Sequence, residues 1–166
     1  DEPFAILLAD DLVCGNTKGC LQQMVDQFQT SQTGVIAVEP VAPEDTGKYG
    51  IIDGQSISER VSQIVSIVEK PVSPGAPSNL AVVGRYLLPG KIMEILEKTT
   101  EAIGNEIQLT DAIATLLESE QVVAYEFSGE RYDCGNKLGY LQATVDCALK
   151  HPEVAVDFRA WLATRV

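Results

Sequence analysis

Two adjacent carboxylates follow the first apolar run of the chain. Residues 4–9 are almost continuously apolar, which predicts a strand buried on both faces, and Asp10 and Asp11 come directly after them. Ligands of open α/β sheets bind at the carboxyl ends of the strands, and Mg²⁺ prefers one or two carboxylates together with water and phosphate oxygens. The pair is therefore a candidate metal site. The alternative is that both acids simply cap the strand and face solvent.

A third acid follows another short extended segment. In the stretch RYDCGNKLGY, Asp133 precedes a glycine-containing turn and then a helix. If its strand ends at the same edge of the sheet, Asp133 would complete the metal site. A helix cap or a turn residue explains the same acid equally well.

A charged pair ends a strand in the middle of the chain. The stretch IVEKP places Glu69 and Lys70 side by side before Pro71. Neighbouring strand residues point to opposite faces, so both can enter one pocket only if a bend or bulge intervenes, and Pro71 favours such a break. A lysine there can neutralise a phosphate, and a glutamate can accept hydrogen bonds from sugar hydroxyls. An exposed ion pair is the alternative interpretation.

Two further positions carry weaker signals. Gly50 lies in the strand-like stretch KYGII, where a glycine often marks the close approach of a ligand or another backbone. Glu106 and Asp111 lie at a helix entrance, where the helix dipole alone accounts for acids. The sequence contains no GxSxG, HExxH or Walker motif, and its single histidine, His151, lies at a predicted helix end. A catalytic histidine is therefore not expected.

The pattern around these residues predicts alternating strands and helices. A strand over 4–9, a helix over 20–29 and a strand over 35–41 make one unit whose two strands should run parallel. The apolar stripe of that helix is Leu21, Met24, Val25 and Phe28. Antiparallel strands around a turn at Asp53 and Gly54 should follow.

The second half of the chain continues the α/β pattern. A strand is predicted over 80–88, and a later helix has Thr110 as a good N-cap. The last amphipathic helix should be anchored by Phe158 and Trp161. No internal repeat or domain boundary is visible.

Composition excludes several classes of function. The 166 residues carry a formal net charge of −12, which repels nucleic acids and anionic membranes. No apolar stretch approaches the roughly 20 residues of a membrane-spanning helix. The four cysteines form no CxxC pair, so a zinc site has little support, and free thiols in a reducing cytosol are expected. The chain also begins almost directly with a core strand, which suggests the C-terminal part of a longer protein.

Five segments occur in the order typical of one family. PFAILLADDLV, VEPV followed by YGIID, VEKP followed by APSNLAVVGRYLL, EIQLTDAI and DCGNKLGY resemble bacterial UTP–glucose-1-phosphate uridylyltransferases. The resemblance implies an α/β, Rossmann-like nucleotide-diphospho-sugar transferase fold, with a mixed sheet flanked by helices and incomplete at the N-terminus. Residues 1–166 would be the C-terminal part of a single nucleotidyltransferase domain, since nothing matches the family's Gly-rich loop with its Arg and Lys.

The resemblance also implies an activity and a role for individual residues. The family joins UTP and glucose 1-phosphate to give UDP-glucose and pyrophosphate with Mg²⁺. Asp10 matches its metal-binding aspartate, and Asp133 matches a second metal ligand. Lys70 matches the lysine on the sugar-linked phosphate, which makes Asp10 and Lys70 the expected catalytic residues. The expected substrate-binding positions are Gly50, Glu69, Lys70 and Glu106.

Partners and alternatives follow from the same resemblance. The expected partners are UTP, glucose 1-phosphate, UDP-glucose and a second copy of the chain, in the cytoplasm, with neither nucleic acid nor membrane. The chain alone is expected to be inactive. A thymidylyltransferase, a non-catalytic sugar-phosphate binding fragment and a fragment stabilised by self-association remain alternatives.

Overall fold

The computed structural model describes residues 2–72, 75–99 and 107–165. The strands are β1 (Phe4–Leu7), β2 (Asp11–Gly15), β3 (Gly34–Pro40), β4 (Gly50–Ser58), β5 (Val61–Glu69), β6 (Leu80–Leu88), β7 (Val122–Glu126) and β8 (Gly129–Asp133). The helices are α1 (Cys20–Ser31), α2 (Lys91–Lys98), α3 (Leu109–Leu117), α4 (Lys137–Lys150) and α5 (Ala155–Leu162), with a 3₁₀ segment at Pro43–Lys48.

Six of these strands form one mixed sheet in the order β1-β6-β3-β7-β5-β4. β6 lies antiparallel between β1 and β3, so β1 and β3 run in the same direction, and β3 is parallel to β7. The predicted strand–helix–strand unit is thus confirmed in direction, although β6 is inserted between its two strands. β2 and β8 form a separate antiparallel pair.

The core lies on both faces of the central strand. Residues 34–38 of β3 are all buried, as a strand covered on two sides requires. On one face its side chains pack with α2 and α3, through Ile92, Ile113 and Leu116. On the other face they pack against α1, through Cys20 and Met24. The helices therefore sandwich the sheet and hold its strand ends in fixed positions.

Two strand boundaries differ from the sequence prediction. β1 ends at Leu7, and residues 9 and 10 form a turn. β4 runs straight through Asp53 and Gly54, where the pairing with β5 shifts by a bulge, and the chain reverses at residues 59–60 instead. A glycine after an aspartate fits a bulge as well as a hairpin turn, which is why the dipeptide was misleading.

Two helix predictions are also corrected. The N-cap of α3 is Gln108, and Thr110 lies inside the first turn with its hydroxyl turned to another element. α5 has no buried residue, and Trp161 is 50% exposed, with its ring centre 5.6 Å from that of Phe158. Within the described part of the chain, no helix has the length and apolarity to cross a membrane.

Candidate functional site

Backbone pairing brings Asp10 and Asp133 to neighbouring turns. Asp11, the first residue of β2, pairs with Asp133, the last residue of β8. The carbonyl oxygen of Asp10 accepts a hydrogen bond of 2.7 Å from the backbone N–H of Cys134. The turn after β1 and the turn after β8 are thereby tied together.

The carboxylates of Asp10 and Asp133 converge over a glycine. A Cβ placed on Gly135 would lie 3.1 Å from Asp10 Oδ2 and 3.0 Å from Asp133 Oδ1. Asp133 accepts hydrogen bonds from the Gly135 N–H at 3.0 Å and from Asn136 Nδ2 at 3.1 Å, and Asn136 itself caps α4. The orientation of Asp133 is therefore fixed by the start of the helix, whereas Asp10 is exposed.

This pair fits the oxygen ligands that a hard cation prefers. Within residues 2–72, 75–99 and 107–165, no three His, Cys, Asp or Glu side chains cluster as a complete protein cage. Two carboxylates that converge over Gly135, with Asp10 exposed and Asp133 partly buried, instead suit a divalent cation that keeps water and phosphate oxygens among its ligands.

Asp11 points away from its neighbour. Its side chain is buried, and its Oδ1 is 2.5 Å from Nε of Arg131. Its other oxygen packs against Gly84, a residue of β6 with φ +56° at an irregular part of the pairing with β3. Arg85 donates to the backbone oxygen of Asp11. The two adjacent acids therefore have different environments, one exposed beside Asp133 and one locked in a buried ion pair.

The predicted sugar-binding residues form a second cluster. Gly50, the first residue of β4, pairs with Glu69, the last residue of β5. Glu69 Oε2 accepts a hydrogen bond of 2.7 Å from the Thr110 hydroxyl. A Cβ on Gly50 would lie 3.3 Å from that carboxylate oxygen and 3.5 Å from the threonine hydroxyl. Glu69 is thus held in one orientation beside a position without a side chain.

Lys70 joins this cluster because the strand breaks at that residue. Its φ is +43°, in the left-handed region, and its N–H donates to the Tyr49 carbonyl at 2.9 Å. The Lys70 ammonium lies 3.7 Å from Glu69 Oε1, and its side chain is 62% exposed. Glu69 and Lys70 can share one site only if the strand is interrupted, and that interruption is present at Lys70 itself.

A buried arginine connects the two clusters. The Arg131 side chain is 8% exposed, pairs with Asp11, and places Nη1 2.9 Å from Glu39 Oε1 at the end of β3. Its guanidinium carbon lies 5.1 Å from the centre of the Tyr49 ring. Burial opposes the charged form, but the contact with Tyr49 and the charge of Asp11 outweigh it and raise the pKa of Arg131.

The negative charges of Glu69 and Asp11 both act on Tyr86. Burial, followed by the charges of Glu69 and Asp11, raises the pKa of Tyr86 to about 12. The tyrosine is therefore a neutral group at neutral pH.

The structure brings five of the six candidate positions together in two clusters, and sequence reasoning missed the residues that support them. Glu106 lies outside the described residues. Arg131 stands two positions before Asp133 within the quoted motif, but nothing in the spacing distinguishes a buried arginine from a surface one. Thr110 had a recognisable signal, an N-cap residue type, that pointed to the wrong role.

The profile of the nucleotidyl transferase family matches residues 1–149. The chain belongs to this family. A UTP–glucose-1-phosphate uridylyltransferase of Staphylococcus epidermidis is 44% identical over 162 residues, which cover 98% of this chain and 56% of that relative. The chain therefore spans about half of the length of the relative that it matches.

Solved structures agree with this assignment. A UDP-glucose pyrophosphorylase complexed with UDP-glucose has 45% identity and a TM-score of 0.86, over 90% of this chain and 57% of that one. A UTP-bound enzyme of the same kind from Acinetobacter baumannii has 42% identity and a TM-score of 0.86, over 97% and 56%. The resemblance read from the sequence and the mixed α/β fold are both confirmed. Nucleotidyl transferases usually depend on a divalent metal ion.

Proposed function

We propose that this chain supplies the sugar-phosphate and metal-binding half of an enzyme that joins UTP and glucose 1-phosphate to give UDP-glucose and pyrophosphate. The observation that carries the proposal is the pair of clusters, Asp10 with Asp133 and Gly50 with Glu69 and Lys70, linked through buried Arg131. Residues 1–166 are then the C-terminal part of one nucleotidyltransferase domain, and the other part completes the nucleotide site.

The reaction needs alignment more than acid–base chemistry. A phosphate oxygen of glucose 1-phosphate attacks the α-phosphorus of UTP, a new P–O bond forms, and the bond to the leaving pyrophosphate breaks. The attacking oxygen is already ionised at neutral pH, so no general base is required. Two anions must be brought together, and holding them in line can lower the barrier by about 7–11 kcal/mol.

The residues of the second cluster suit the sugar phosphate. The exposed ammonium of Lys70 would bind the sugar-linked phosphate and offset its charge. Glu69, held by Thr110, would accept hydrogen bonds from sugar hydroxyls, and Gly50 leaves room for the ring. Glu106 is proposed to lie near the same hydroxyls.

The first cluster suits the metal. Asp10 and Asp133 would hold Mg²⁺ through their carboxylate oxygens, with Asp133 oriented by the start of α4. When bound, Mg²⁺ supplies positive charge that neutralises the phosphate oxygens. Asp10 and Lys70 would thereby flank the reacting phosphates from two sides.

Two further properties belong to the proposal. Self-association is expected, and for this chain by itself it is supported by β1, whose one neighbour among the described strands is β6 and whose Leu7 is 50% exposed. A cytoplasmic location is supported by the four cysteines, all of which are free thiols.

The test is a chimaera in which this chain replaces the matching part of the Staphylococcus epidermidis relative. We expect the chimaera to release pyrophosphate from UTP and glucose 1-phosphate, and to stop when a chelator removes divalent cations. Asp10→Asn should lower turnover about 100-fold or more, whereas Asp53→Asn, at an exposed acid of β4, should leave it intact. A folded chimaera that is inactive, or equally active in the chelator, would refute the proposal.

A further inference from the structure

Arg131 is an enclosed cation near the site. Its guanidinium makes two ion pairs, 2.5 Å to Asp11 and 2.9 Å to Glu39, and lies over the Tyr49 ring at 5.1 Å. The side chain is only 8% exposed, so water cannot replace these contacts. Such a group is costly to bury unless its partners are all in place, which makes the arrangement specific.

Its three partners lead to different parts of the site. Asp11 follows Asp10 and pairs through the backbone with Asp133, so it adjoins the metal cluster of Asp10 and Asp133. Tyr49 precedes Gly50, and its carbonyl accepts the N–H of Lys70, so it adjoins the sugar-phosphate cluster of Gly50, Glu69 and Lys70.

Glu39 ties both clusters to the central strand. It lies near the end of β3, where it pairs with Ala81 of β6, and Ala81 also pairs with Ile51 of β4. One buried guanidinium thus contacts a residue adjoining the metal cluster, a residue adjoining the sugar-phosphate cluster and the central strand.

We propose that Arg131 is a positioning residue that couples the binding of a divalent cation at Asp10 and Asp133 to the binding of a sugar phosphate at Gly50, Glu69 and Lys70. This inference rests on the proposed function. Arg131 touches neither ligand; it fixes the separation of the two clusters, so that a cation and a phosphate bound to them meet. If the sugar phosphate raises the affinity for the cation by a given factor, the cation must raise the affinity for the sugar phosphate by the same factor.

Arginine is required for this role by its shape. The planar guanidinium presents donors in a fixed fork, so it can serve Asp11 and Glu39 at once while its face lies on Tyr49. A lysine keeps the positive charge but is a point donor that cannot hold all three partners. Arg131→Lys therefore separates the geometry from the charge.

The experiment measures the affinity of this chain for Mn²⁺, by the electron paramagnetic resonance signal of the free ion, without and with saturating glucose 1-phosphate. In the unaltered chain we expect glucose 1-phosphate to tighten Mn²⁺ binding by a factor within the usual coupling range of about 5–150. In Arg131→Lys the factor should fall towards 1.

Two further variants separate positioning from general destabilisation. Ile92→Val, in the core, lowers stability without touching Arg131 or its partners and should leave the coupling factor unchanged. Glu39→Gln keeps Arg131 and its contact with Asp11, and its site is 28% exposed, so it should fold even if Arg131→Lys does not. We expect Glu39→Gln to reduce the coupling factor in the same direction.

The outcomes are distinct. An unchanged factor in folded Arg131→Lys and Glu39→Gln would overturn the inference and leave the proposed function standing. An equal loss in Ile92→Val would also overturn it, because the effect would then be one of stability. If the unaltered chain does not bind Mn²⁺ at all, the proposed metal site itself fails, and the inference fails with it.

Discussion

Replacing Gly84 by alanine tests the packing that holds the acidic turn in place. Gly84 has φ +56° in the middle of β6, a conformation that costs an L-residue about 1–2 kcal/mol. A Cβ at this position would overlap Asp11 Oδ2 and would lie 3.0 Å from the Cβ of Leu8. The new methyl group would therefore push the residues that enter β2 away from the sheet.

The expected loss is large for a single methyl group. Forcing an extra carbon into a well-packed site costs about 1–3 kcal/mol, so Gly84→Ala should lower the free energy of unfolding by about 2–5 kcal/mol in total. That is a large part of the 5–15 kcal/mol typical of a whole domain. The measurement is urea unfolding followed by circular dichroism, with equal slopes required for the comparison.

The control is Gly47→Ala. Gly47 has no left-handed backbone, and the nearest atom to its Cβ would be the Pro71 carbonyl oxygen at 3.5 Å, an ordinary contact. Its stability should change by less than about 0.5 kcal/mol. Combining Gly84→Ala with Asp11→Ala removes the atom that the methyl group meets, so the double variant should lose less than the sum of the two. A loss below about 1 kcal/mol for Gly84→Ala would refute the reasoning.

The other predictions concern single groups of the site and the core. In the chimaera, Asp10→Asn should lower turnover about 100-fold or more while the thermal midpoint stays constant, because the side chain is exposed; a parallel loss of both would count against a metal role. Lys70→Ala should weaken glucose 1-phosphate binding by about 10-fold, as the loss of one charged hydrogen bond predicts. An unchanged dissociation constant in titration calorimetry would show that Lys70 is not part of the site. Thr110→Val should weaken glucose 1-phosphate binding by about 10-fold, because the hydroxyl that orients the Glu69 carboxylate is lost. Thr115→Val, at an exposed hydroxyl of the same helix, should leave this binding unchanged. Equal effects of the two variants would contradict the role of the Thr110 hydrogen bond. Burial raises the pKa of Cys20 from 9.0 to about 11, so the folded state keeps the thiol proton to a higher pH than the unfolded state does. The contribution of this thiol to stability should therefore be complete below pH 9 and should be lost as the pH rises towards 11. Cys20→Ala should then make the thermal midpoint fall less steeply over that pH range.

The sequence predicted most elements because periodicity and strand ends are local properties. The apolar stripe of α1 and the continuous apolar run of β3 are visible in a few residues each, and both elements are present. The position of β6 between β1 and β3 was not predictable in this way. It depends on the pairing of β6 with β1, about 80 residues away, and with β3, about 50 residues away. No local sequence pattern predicts such pairings.

The sequence named candidate residues that the fold brings together, but it did not name the residues that support them. A motif placed Asp133 near Asp10, and the register of β2 with β8 agrees. Arg131 could not be assigned from the motif, because an arginine on a strand is buried only if partners from other segments neutralise it. Here those partners are Asp11 and Glu39, which lie 120 and 92 positions away along the chain.

Two pairs of adjacent charged residues show what decides such assignments. Asp11 lies in a regular strand, its side chain turns inward to Arg131, and Asp10 alone is left beside the second acid. Lys70 leaves the strand conformation, with φ +43°, and therefore stays beside Glu69.

The same spacing thus has opposite results. In one pair the two side chains are separated, one exposed beside Asp133 and one in a buried ion pair, and in the other pair the two side chains stay beside each other. The backbone conformation of the second residue makes the difference, and it is set by long-range partners: Gly84 and Arg131 for Asp11, and the Tyr49 carbonyl for Lys70. Charged pairs at strand ends can be recognised from spacing, but their division of roles follows only from the contacts of the second member.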